Sequence, residues 1–181
     1  MSLPASVGLA SADLVYAVGG AMLITVGAVN MGLGKNELKD FGIVFMSGAI
    51  FLLVGTILDA LAGSPLAAAA TAVFDLLLWM IGIAATIGGT NLYAMNHGLL
   101  YAGIFFIYVT ALAALTKQLL LALALAFLAI QVLTAAAAGY RNSPRLRWIS
   151  GLLALIDGAL FLILASIVAL ALPPPLGIIP P

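Results

Sequence analysis

Six uncharged or nearly uncharged apolar runs, each long enough to cross a bilayer, follow one another with only short polar connections between them. They are expected over residues 14–33, 41–62, 66–89, 98–116, 119–138 and 148–172. Each holds roughly 19–25 residues, and at ~1.5 Å of rise per residue that is ~28–37 Å, enough for a ~30 Å hydrocarbon core with some tilt. In hydrocarbon every backbone polar group must be satisfied within the segment, and a single helix does this. The expected fold is therefore all-α: a polytopic integral membrane protein with six transmembrane helices per protomer, one domain over 1–181.

Composition supports that reading. Of 181 residues, 65% are hydrophobic and 7% are charged, where a soluble domain would have about 25% charged residues. Net charge is zero, so nucleic acid is not an expected partner; membrane lipid is. There is no cysteine, which excludes a disulfide framework, a thiolate metal site and a cysteine nucleophile. The N-terminal stretch before Leu14 has no basic residue, so the first run is expected to be a retained helix and not a secretory signal. The proline-rich C-terminal stretch from Pro173 is expected to be extended and to stop the last helix.

Orientation follows from lysine and arginine. Connections one, three and five carry Lys35, Lys39, Arg141, Arg145 and Arg147; the other connections and both termini carry only Lys117. Cytoplasmic loops are enriched in such residues. Both termini are thus expected outside, in a cell inner or plasma membrane.

Glycines recur seven apart: Gly20 and Gly27, Gly48 and Gly55, Gly151 and Gly158. Seven residues are two helical turns, so each pair lies on one face. Small residues on one face let helix backbones approach, and packing is their expected use.

The chemistry is concentrated in a few carboxylates. Asp13 and Asp59 stand at span ends and are expected to be solvated there. Asp75 and Asp157 stand mid-span, where an acidic side chain costs ~2.5–3.5 kcal/mol on insertion scales. Trp79 and Phe161 follow them by one turn on the same faces. A carboxylate beside a ring suits a narrow amphipathic constriction in a solute path. No lysine or arginine lies mid-span, so an ion pair is not available; Asn30, Gln131, Thr25, Ser47 and Ser166 are the candidate neutral partners. A neutral acid acting as donor, or proton coupling, stays open. Candidate path residues are Asp157, Asp75, Trp79, Phe161, Gln131 and Asn30. His97 is the only histidine and cannot make a metal site alone; it is expected as a surface histidine, with pH sensing the alternative, and Tyr93, Asn96 and Tyr101 near it are expected to form an interfacial belt. No catalytic triad, phosphate loop or paired zinc motif is present, so no enzyme activity, cofactor or metal is expected.

SGLLALIDG (150–158) resembles the T-G-W-L-A-I-x-E-G segment of the AmiS/UreI family of urea and amide channels, and Asp157 falls at that family's acidic position. VGGAMLITVG (18–27), GKNELKDFGIVFMSGA (34–49) and TNLYAMNH (90–97) are similar to its earlier motifs, in order. Val26 stands where that family often has asparagine, and its late tryptophans are absent. The resemblance implies six helices, a path through each protomer, a hexameric ring, and passive movement of urea or short aliphatic amides. PASVGL (4–9) and GAIFLLVGTILDALAGS (48–64) resemble instead signatures of the YaaH-type acetate and succinate transporters, also six-helical hexamers. That resemblance implies the alternative, a proton-linked acetate or monocarboxylate path. A third reading is a structural membrane module without transport.

Overall fold

The computed structural model describes residues 5–33, 38–87 and 93–170. It contains six helices: α1 (Ala5–Asn30), α2 (Leu38–Leu61), α3 (Pro65–Thr86), α4 (Tyr93–Leu115), α5 (Leu119–Arg141) and α6 (Pro144–Ala169). All six are long and apolar enough to cross a membrane. The expected ends of the third and sixth spans, Gly89 and Leu172, lie outside the described residues.

Every helix but α5 begins earlier than its apolar run, α2 and α3 by three residues or fewer and the other three by more. α1 starts at Ala5 and not Leu14, α4 at Tyr93 and not Gly98, α6 at Pro144 and not Trp148. Hydropathy marks only the part of a helix that hydrocarbon would cover, whereas the backbone ladder continues until a cap stops it. For α6 that cap is Ser143, whose Oγ accepts a hydrogen bond from the Leu146 amide at 3.4 Å, with Pro144 in the first turn.

Four helices end in the same way. After α2, the Ser64 amide donates to the Asp59 carbonyl and the Gly63 amide to Ala60. This is the Schellman pairing, and it needs a left-handed residue, here Gly63 at φ 78°. The ends of α1, α4 and α5 repeat it, with Gly32, Lys117 and Asn142 in the left-handed position. Each cap satisfies backbone carbonyls, and after α2, α4 and α5 it turns the chain directly into the next helix, which runs back antiparallel.

Each helix packs against its neighbours in the chain, and α6 returns to pack against α1. The six helices therefore form a closed ring. The α1–α6 closure depends on absent side chains: a Cβ on Gly20 would lie 2.8 Å from the Gly158 carbonyl oxygen, and one on Gly27 2.8 Å from that of Gly151. Gly48 and Gly55 pack against Met22 and Val15 of α1. All three heptad-spaced pairs thus serve helix contact. The outer surface carries exposed Ile50, Leu76, Ile104, Leu123 and Ile163, an apolar face suited to lipid or to another protomer.

Candidate solute path

A closed ring has an inner face, and buried side chains from every helix meet there. α1 contributes Leu23, α2 Leu52, α3 Phe74 and Leu78, α4 Phe106, α5 Leu128 and α6 Phe161, all buried. The Tyr16 and Phe161 rings lie 5.9 Å apart, tilted by 50°. Phe74 reaches α1, where a Cβ on Gly19 would come within 3.2 Å of its ring. Aromatic and aliphatic groups from all six helices thus fill the axis and exclude bulk water from its middle.

Toward the end of the bundle where α2 meets α3, a carboxylate ties three helices together. Ser11 Oγ of α1 donates to Asp59 Oδ1 of α2 at 2.6 Å, with the Gly55 carbonyl also 3.1 Å from that hydroxyl. Thr71 Oγ1 of α3 lies 3.4 Å from Asp59 Oδ2 and 2.9 Å from the Ala67 carbonyl. Asp59 is only 4% exposed. The expectation of a solvated span-end aspartate is corrected. The early start of α1 carries Ser11 into the bundle, and antiparallel packing brings it to Asp59. Hydropathy along one segment contains no trace of that meeting.

Asp157 is fully buried, 0% exposed, and neither of its carboxyl oxygens has a hydrogen-bond partner. Its expected neutral partners are engaged elsewhere. Gln131 Nε2 donates to Ser150 Oγ at 3.3 Å, and Ser150 Oγ lies 3.2 Å from the Gln131 carbonyl. Thr25, Ser47 and Ser166 donate to carbonyls four residues back in their own helices, at 3.0, 2.9 and 2.9 Å. Asn30 is half-buried at the end of α1, beside Gly151.

Asp75 is also buried, with Oδ1 unpartnered. It shares a row of α3 with Thr71 and Gly82, and both of these contact α2: Thr71 through Asp59, Gly82 through Gly42 and Met46. Trp79 is half-buried on the same helix. Asp75 thus belongs to the α2–α3 seam, while Asp157 lies on α6, opposite α3 in the ring order. The two mid-span aspartates thus stand on helices that are not neighbours in the ring. Phe161 is buried, in ring contact with Tyr16 of α1.

At the other end, Asn96 is buried with Oδ1 unpartnered and packs on Gly139 of α5. His97 hydrogen-bonds Tyr140 through Nδ1. The expected belt is therefore divided: Tyr101 is exposed, Asn96 is inside the α4–α5 seam, and the side chain of Tyr93 lies outside the described residues. Sequence reading missed the Asp59 cluster and the buried Asn96. The i, i+4 spacing of Gly55 and Asp59 beside that of Ser11 and Val15 is the one signal that points to the first.

No protein-family model matches the chain, and no curated protein does. Its fold is similar to a solved structure described as that of the bacterial acetate channel SatP. The TM-score is 0.75, over 88% of this chain and 91% of that chain, at 17% sequence identity. The likeness is one of fold.

Proposed function

We propose that the chain is a membrane facilitator for short monocarboxylic acids of the acetate kind, carried along the axis of the six-helix ring. The supporting observation is the closed ring with an aromatic-lined axis and buried carboxyl groups in its seams, in a fold shared with an acetate channel. An apolar constriction dehydrates a solute, and few small polar molecules pass without compensating contacts. A two-carbon acid has a methyl end for the rings and a carboxyl end for the polar side chains.

The urea and amide reading, first on sequence, is placed second. Likeness of fold favours the acid. The two unpartnered oxygens of Asp157 keep the amide in contention, because an amide supplies N–H donors. Both termini outside, with Arg141, Arg145 and Arg147 at the cytoplasmic end, and a homo-oligomer of six by resemblance, belong to the same proposal.

The test is uptake of labelled acetate and propionate into liposomes holding the purified protein, against empty liposomes at the same gradient. Uptake above the empty control that saturates supports the reading. Uptake equal to the control for both acids overturns it, and points to the structural module.

A further inference from the structure

The α5–α6 seam has a register fixed by the Gln131–Ser150 hydrogen bonds. The two helices are consecutive and antiparallel. Two turns toward the start of α5 from Gln131 stands Ala124; two turns toward the end of α6 from Ser150 stands Asp157. Seven residues return each helix to the same face, and the two steps run in the same direction in space. The register thus sets Ala124 level with Asp157 along the seam, and both are 0% exposed. A methyl group stands where the next donor of the seam would be.

We infer that Ala124 is a specificity-determining residue: by offering Asp157 no hydrogen bond, it reserves both carboxyl oxygens for a solute that brings its own N–H or O–H donor, an uncharged primary amide or an undissociated acid. The inference rests on the reading of the ring as a solute path. Among the described residues the unpartnered buried side-chain atoms are Asp75 Oδ1, Asn96 Oδ1 and the two Asp157 oxygens, and every one is an oxygen. Buried acceptors without donors are costly, so an arriving donor is favoured. A carboxylate anion has acceptors only. It also meets no described cation in the middle of the ring: Arg141 and Arg145 are exposed at one end, Arg147 is half-buried in the first turn of α6, and Lys117 is exposed at the other end. The titratable side chains buried or half-buried within the described spans include Tyr16, Asp59, Asp75 and Asp157, none of them basic.

The test compares the native protein with Ala124→Asn, Ala124→Leu and Asp157→Asn. Asparagine and leucine are nearly equal in volume, so both disturb packing, but only asparagine gives Asp157 a donor. Acetamide and acetate permeabilities are measured in liposomes at a pH where acetate is ionised, and melting temperatures in detergent. The expected result is a ratio of acetamide to acetate-ion permeability that falls about tenfold from native to Ala124→Asn, the scale of one hydrogen bond. Ala124→Asn should also melt above Ala124→Leu, which should slow both solutes equally. Asp157→Asn, which adds donors, should shift preference toward acetate. Equal preference and equal melting temperature in Ala124→Asn and Ala124→Leu overturn the inference, as does an unchanged preference in Asp157→Asn. A native protein that passes neither solute overturns the solute-path reading itself, and the melting comparison still decides whether Ala124 and Asp157 face each other.

Discussion

Ser11 and Asp59 stand 48 residues apart in the chain and 2.6 Å apart in the fold. Their hydrogen bond joins the start of α1 to the end of α2, and Thr71 extends the link to α3. An aspartate that one segment alone marks as a solvated span end is in fact the junction of half the ring.

Removing the donor should cost stability. Ser11→Ala leaves a buried carboxyl oxygen without its shorter bond, at about 1–3 kcal/mol. Thr71→Ala should cost less, because its contact with Asp59 is longer and its hydroxyl already has the Ala67 carbonyl. Melting temperatures in one detergent check the order; equal losses would show that the 2.6 Å bond contributes no more than the 3.4 Å one.

The ring closure should be intolerant of volume. A Cβ on Gly158 would come 2.7 Å from the Gly20 carbonyl oxygen, with Ile24 crowded as well. Gly158→Ala should therefore force α1 from α6, at about 1–3 kcal/mol for overpacking. Gly63→Ala meets no atom within 4 Å and is limited by its φ of 78°, which costs about 1 kcal/mol. Comparing the two by thermal unfolding separates a packing clash from a backbone strain.

Lys117 holds a left-handed φ of 63° at the end of α4, a conformation disfavoured for a residue with a Cβ. Lys117→Gly should stabilise by about 1 kcal/mol. Asn142→Gly should gain less, since asparagine tolerates that region better. Both are read as shifts in melting temperature, and a larger gain at Asn142 would contradict the argument.

The axis should set a size limit. Phe74 packs across the ring onto Gly19, so Phe74→Leu removes part of the aromatic filling at about 1.5 kcal/mol or less. Permeability to butyrate should rise relative to acetate in liposomes. An unchanged ratio would place the constriction elsewhere, and Phe161→Leu beside Tyr16 is then the next position to measure.

The six helices were legible in the sequence because hydrocarbon imposes a local rule: a span must be long, apolar and internally hydrogen-bonded. Heptad glycines were legible as contact faces for the same reason, since two turns return a residue to one side of its own helix. Helix starts were not, because the first turns of α1, α4 and α6 lie beyond the apolar runs, where hydropathy no longer tracks the backbone ladder. Asp157 was legible as an unusual, buried carboxylate, and the lack of a cation to pair with it followed from the sequence as well.

Which residues face one another was decided only by the tertiary structure. Asp75 and Asp157 look alike on their own segments, yet the ring order sends them to different seams. Gln131 looks like a partner for an aspartate, and the α5–α6 register gives it to Ser150. Ala124 carries no sequence signal at all; its meaning comes from what stands across from it. Hydropathy and periodicity are properties of one helix at a time. Register between helices depends on cap geometry, on the close approach of Gly20 and Gly158, and on hydrogen bonds such as Ser11 to Asp59, all of which join residues far apart in the chain.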